Sequence, residues 1–192
     1  MIYLLSIVGT LLRQYFYTAS LMVCSMFFAS AQTLPTPEYQ VKAVFLFNFT
    51  QFVEWPNTAF TSNNAPLVIG VFGDNPFGSY LEETVKDEIV NGHPLIVQYY
   101  KNIEDIKTCH LLFINLHETN EQEEVVRSLK GRNILTVTND SDLSKQEEII
   151  KLYIKNKKIQ FQINTGAAKE ANLVVSSKLL NIAKIFISPK NN

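Results

Sequence analysis

The sequence predicts a single three-layer α/β domain: a largely parallel, Rossmann-like sheet flanked by helices, with an antiparallel hairpin near the C-terminus. Three observations carry this. Between residues 66 and 138, short β-branched apolar runs alternate with amphipathic or turn-rich stretches, the pattern of a parallel sheet buried on both faces. After residue 149 the pattern changes: two short apolar segments flank KNKK (155–158), the second alternating Ile159/Phe161/Ile163 with Gln160/Gln162, which reads as a hairpin adding an antiparallel edge. A composition of 46% hydrophobic and 18% charged residues is that of an ordinary globular protein.

Residues 1–31 stand apart. They contain no Asp, Glu or Lys, carry Arg13 as their one charge, and run from an apolar stretch into Ala29-Ser30-Ala31. The apolar run is shorter than the ~20 residues of a spanning helix, and A-x-A is a cleavage pattern. A secretory signal peptide over 1–31 is expected, leaving 32–192 as the domain and Cys109 as its one cysteine. An exported chain with one cysteine has no internal disulfide, so its stability must come from its core.

The stretch EYQVKAVFLFNFTQFVEWP (38–56) opens the domain. Val41, Val44, Phe45, Phe49 and Phe52 fall at helical spacing, with Thr36 a candidate N-cap and Pro37 suited to the first turn. Pro56 ends the helix and leaves Phe52, Val53, Glu54 and Trp55, the only tryptophan, at a corner. NTAFTSNNAP (57–66) reads as a polar surface loop. PLVIGVFG (66–73) is a buried strand, DNPFG (74–78) a turn, and 79–87 a short helix with Leu81 and Val85 inward. Gly92-His93-Pro94 is a turn into a strand at 95–100, and CHLLFIN (109–115) is the next buried strand. Residues 121–129 form an amphipathic helix stopped by Gly131, followed by a strand at 134–138 and a polar stretch at 139–146. The hairpin pairs 149–154 with 159–163, and 165–171 and 176–187 read as helices.

Charge excludes one class of function. The domain after residue 31 keeps 16 basic and 18 acidic residues, so it lacks the strongly basic footprint of a nucleic-acid binder. Residues 145–192 hold nine lysines against three acidic residues. These read as solvated faces or as a basic surface for an acidic partner or membrane headgroups.

Few motifs bear chemistry. The turn Gly73-Asp74-Asn75-Pro76-Phe77-Gly78 has the G-x-x-x-x-G half of a phosphate loop, but Ser79-Tyr80 follows in place of Lys-Ser/Thr. It reads as a tight turn, with a ligand turn at Gly73, Asp74, Asn75 and Gly78 as the alternative, because strand-to-helix turns are where α/β sheets bind ligands. His93, His110 and His117 lack metal-pair spacing. Cys109 and His110 are strand neighbours that point to opposite faces. No catalytic residue, metal ligand or cofactor site is expected. Phe52, Glu54 and Trp55 form the candidate partner surface, since tryptophan is a common interface anchor; otherwise Trp55 packs over the sheet end.

Five segments together resemble the YfiR-like (DUF4154) family of exported bacterial proteins: VKAVFLFNFTQFVEWP (41–56), PLVIGVFGDNPFG (66–78), CHLLFI (109–114), ILTVTND (134–140) and IQFQINTGAAKEANLVVSSKLLNIA (159–183). The resemblance implies a periplasmic α/β regulator, not an enzyme. It implies repression of an inner-membrane diguanylate cyclase through that enzyme's periplasmic domain, relief by an outer-membrane lipoprotein, and a homodimer. Cys109 matches a family cysteine whose bridging partner corresponds to Gly70 here, so that bridge cannot form. Open alternatives are a periplasmic small-ligand-binding module, a regulator of a membrane histidine kinase, and an enzyme of unrecognised chemistry.

Overall fold

The first helix of the domain decides which side of the sheet is covered first. The computed structural model describes residues 35–139 and 147–186; the expected leader lies outside them. Helix α1, Pro37–Phe52, starts at Thr36, whose side chain makes no capping bond. Its buried positions are Lys42, Ala43, Leu46, Phe49 and Thr50, whereas Val41 and Val44 are 47% and 41% exposed. The inward stripe is therefore rotated from the expected one. In a helix this rich in apolar residues several stripes fit the period equally well, and the position of the sheet selects one.

The remaining elements are β1 Val53–Glu54, β2 Leu67–Gly73, α2 Tyr80–Val85, β3 Ile89–Val90, β4 His93–Tyr100, β5 Leu111–Asn115, α3 Thr119–Ser128 and β6 Leu135–Asn139. Then come β7 Ile150–Lys155, β8 Lys158–Asn164, α4 Thr165–Glu170, β9 Val174–Val175, α5 Ser177–Ile182 and β10 Lys184–Phe186. They all lie within one compact unit, Leu34–Asn192. Eight strands form a mostly parallel sheet in the order β10-β8-β7-β6-β5-β2-β4-β3, and β1 pairs with β9 in a small antiparallel sheet.

The strands alternate between two cores. Ile69, Val71, Leu111, Phe113, Leu135 and Val137 face one side, where they meet Leu46 and Phe49 of α1, Leu81 of α2 and Leu179 of α5. Phe72, Leu112 and Ile114 face the other side, against Val125, Val126 and Leu129 around α3. Continuous apolar strands follow from burial on both faces.

Four expectations need correction. α1 stops at Phe52, before Trp55, because Val53 and Glu54 pair with Val175 and Val174 and Ser176 N–H donates to the Phe52 carbonyl at 2.9 Å. The second strand of the expected group begins at His93: Asn91 and Gly92, both at positive φ (52° and 87°), form a two-residue hairpin joining β3 to β4. Asn-Gly is the residue pair such turns favour. The expected helix over 176–187 is only α5, after which the chain extends into β10, parallel to β8. The hairpin β7–β8 is antiparallel as expected but is not the sheet edge, since β10 covers it.

Gly70 lies where the strands are tightest. A Cβ there would sit 2.7 Å from both Leu112 Cδ1 and Tyr100 Cε2, and 2.8 Å from Cys109 Sγ. Gly70→Ala should therefore overpack the core and lower the unfolding free energy by ~1–3 kcal/mol, read as a lower urea midpoint at unchanged slope.

Candidate functional site

The expected site residues fall at opposite ends of the sheet. Asp74, Asn75 and Gly78 follow the carboxyl end of β2, which finishes at Gly73, whereas Trp55 meets the amino end of β5. The seven residues of β2 span roughly 20 Å at ~3.3 Å per residue, so these are two places and not one.

At the carboxyl end, β2 has β4 on one side and β5 on the other, all parallel. The chain thus passes from β2 to β4 on one side and from β4 back across β2 to β5 on the other, which makes the β2/β5 boundary the switch point where open α/β sheets form a crevice. Here the crevice is closed. Gly73 has φ +88°, and a Cβ on it would lie 2.4 Å from the Asn115 carbonyl oxygen. Asp74 N–H donates to that carbonyl at 3.3 Å, and Asn115 Nδ2 donates to the Asp74 carbonyl at 3.0 Å. Asn75 is occupied within its own turn: Oδ1 accepts from Phe77 N–H at 2.9 Å and Nδ2 donates to the Gly78 carbonyl at 3.0 Å. Phe77 is buried edge-on to Phe113, with ring centroids 5.1 Å apart. The Asp74 carboxylate, 76% exposed beside His117, disfavours a phosphate.

A buried lysine lies near the same end. Lys42 is fully buried, pairs with Glu38, donates to Asn139 Oδ1 at 2.7 Å and lies 4.6 Å from the Tyr39 ring centre. Burial, with the Glu38 charge second, raises the Tyr39 pKa. The apolar periodicity of α1 gave no hint of this lysine.

At the amino end, Trp55 is half-buried and its indole N–H donates to the His110 carbonyl at 3.0 Å. The His110 N–H donates to the Val68 carbonyl, and His110 Nδ1 lies 3.0 Å from Val68 N–H. Since Val68 N–H can only donate, Nδ1 must accept, which puts the ring proton on Nε2, 3.2 Å from the Ala59 carbonyl. Phe60 is stacked between His93 and His110, at centroid distances of 3.7 and 4.4 Å, and His93 Nδ1 donates to the Ala65 carbonyl at 2.7 Å. The loop read as polar surface is thus pinned by two histidines around one phenylalanine. Sequence reasoning did not join them; the one available signal was an aromatic residue inside an otherwise polar loop.

Phe52 is half-buried against the core. Glu54 is exposed and faces Val174, 61% exposed, in the β1–β9 register. Cys109 is buried on the other side of the sheet, where its Sγ donates to the Leu111 carbonyl at 3.2 Å. Burial pushes its thiol up to about 12, the state of an unreactive cysteine. Its Sγ lies beside the position of an added Gly70 Cβ, so the two positions paired by the family resemblance are neighbours in space.

These features define an α/β domain whose distinctive polar side chains hold loops and strand ends in place and present a fixed corner. Residues 39–184 match the profile of the YfiR/HmsC-like family, DUF4154, and the chain belongs to that family. The family is regulatory and not catalytic, and periplasmic. No curated protein matches the chain. Among the described residues no helix is long and apolar enough to cross a membrane.

Two measurements check the amino-end geometry. Trp55→Phe keeps a ring in place but loses the bond to the His110 carbonyl, and should cost ~1 kcal/mol of unfolding free energy. Burial lowers the His110 pKa to about 4, with the Ala59 bond opposing and His93 reinforcing. An unfolded histidine titrates near about 6.5. Between these values the unfolded chain binds the proton and the folded one does not, so this stability is full above pH ~6.5 and lost as pH falls to about 4. In His110→Asn, whose Oδ1 can accept from Val68 N–H, the fall in urea midpoint across that window should be shallower.

Proposed function

We propose that this protein is an exported, periplasmic repressor of a membrane signalling enzyme, a diguanylate cyclase in the first instance, acting by docking on that enzyme's periplasmic domain. The family match over 39–184 carries the reading. The described residues agree with a binding role, since their polar clusters serve loops and strand ends.

The docking surface in this reading is the β1–β9 corner. Glu54 and Val174 are exposed neighbours there, and the backbone beneath them is held by Val53, buried in the core, and by Trp55 on the His110 carbonyl. A surface already ordered loses little entropy on binding. A repressor also needs to bind the inactive state of its target more tightly than the active one. Homodimerisation and sequestration by an outer-membrane lipoprotein belong to the same proposal, as further engagements of an exported protein.

The test separates surface from scaffold. Glu54→Lys and Val174→Asp leave the Trp55 contact intact, so both variants should keep the wild-type melting temperature while losing co-purification of the membrane enzyme from the native envelope. Retention of the enzyme by both folded variants removes the corner from the proposal. Recovery of a histidine kinase in place of a cyclase keeps the docking mode and changes the target.

A further inference from the structure

A cavity of about 420 Å³ lies between the C-terminal end of α3, strand β6, the residues just before β7, the end of β8, and α4. That size suits a small organic ligand. It shares no residue with the Gly73–Gly78 turn or the β1–β9 corner. Its apolar lining includes Leu129, Ile134, Ile149 and Ala171.

Its polar groups are unequal. Arg127 is 3.3 Å from Glu147 and 3.6 Å from Glu123, which lies outside the lining, and Lys130 is 3.3 Å from Glu170, so two cations of the lining are held by carboxylates. Arg132, the third cation of the lining, donates to the Ile106 carbonyl, which lies outside the lining, and has no carboxylate partner among the described residues. Its side chain carries further N–H donors in a planar fork suited to a carboxylate. Thr136, buried in the same lining, accepts from Ile149 N–H at 3.0 Å, which leaves its hydroxyl proton to donate. The lining thus combines an apolar body with one guanidinium that no described carboxylate pairs and a buried hydroxyl donor.

We propose that this cavity binds a small monocarboxylic acid with an aromatic or short aliphatic body, its carboxylate held by Arg132 with the Thr136 hydroxyl as a second donor. A cationic ligand is opposed by the Arg132 charge, and a neutral one leaves that guanidinium without a carboxylate. If the β1–β9 corner is the docking surface, occupancy bears on it through the chain: Ala171 in the cavity wall precedes β9 by three positions, and its carbonyl accepts from Asn133 Nδ2 at 2.8 Å. The ligand site itself does not depend on that reading.

The experiment titrates the protein with phenylacetate and octanoate, and with phenylacetamide as the uncharged match, by calorimetry and by amide chemical-shift mapping. Saturable binding of an acid is expected, at least ~10-fold tighter than the amide, the value of one charge-assisted hydrogen bond. The shifts should centre on residues 126–136 and 164–171. Arg132→Gln should cut acid affinity ~10-fold and leave the amide unchanged. The wild-type shift map tests the site even if that variant folds poorly. Absence of saturable binding by both acids, equal binding of acid and amide, or shifts centred elsewhere overturns the proposal. Acid binding together with retention of the enzyme by both corner variants overturns the corner reading alone.

Discussion

The neutrality of one buried imidazole holds the amino end of the sheet together. His110 stands between β2 and β6. It exchanges two hydrogen bonds with Val68, its carbonyl accepts both the Leu135 N–H and the Trp55 indole, and its ring carries Phe60. A proton on Nδ1 would set two donors against each other at the Val68 amide, in a place where water cannot compensate either. Loop 57–66, the end of the first helix and the start of three strands therefore rely on one tautomer. Burial, which lowers the pKa of the ring, is also what makes those bonds strong.

The two ends of the sheet have been treated differently. At the carboxyl end, the usual place for a ligand in this architecture, the β2/β5 boundary is shut by reciprocal bonds between Asp74 and Asn115, and Gly73 is needed because the chains approach too closely for a side chain. At the amino end, the small β1–β9 sheet carries Glu54 and Val174 outward on a backbone anchored beneath. The architecture is that of many nucleotide-binding enzymes, but fold alone assigns no function. The side chains at its two ends hold loops and strand ends in place.

Buried charge flanks the β6–β7 connection on both sides. Asn139, where β6 ends, accepts from Lys42, and Glu148, just before β7, meets Lys151 at 3.3 Å and the Thr138 hydroxyl at 2.9 Å. Such pairs add little net stability over apolar packing, but removing one partner strands the other. Their effect is to hold the two ends of the connection in register. The core beneath Gly70 works by packing: with glycine opposite it, Cys109 serves as a small buried hydrophobe.

Much of this was legible in the sequence. Continuous β-branched runs marked the strands at 67–73, 111–115 and 135–139, because strands covered on both faces have no polar side to show. Turn chemistry marked Gly73–Gly78 and Gly131, and the switch to alternation marked the hairpin. Five segments in family order pointed to the family that the profile match over 39–184 shows. The sequence could not choose the buried stripe of α1, since Val41 and Val44 are as apolar as Ala43 and Leu46; only the position of the sheet decides among stripes of equal hydrophobicity. Nor could it extend β1, β9 and β10, too short to have a period of their own and held by partners more than a hundred residues away for β1, or about twenty for β10. The histidine stack, the buried lysine and the cavity beside Arg132 share that origin. Local sequence sets what each segment can form, and contacts between segments distant in the chain set which of those possibilities is realised.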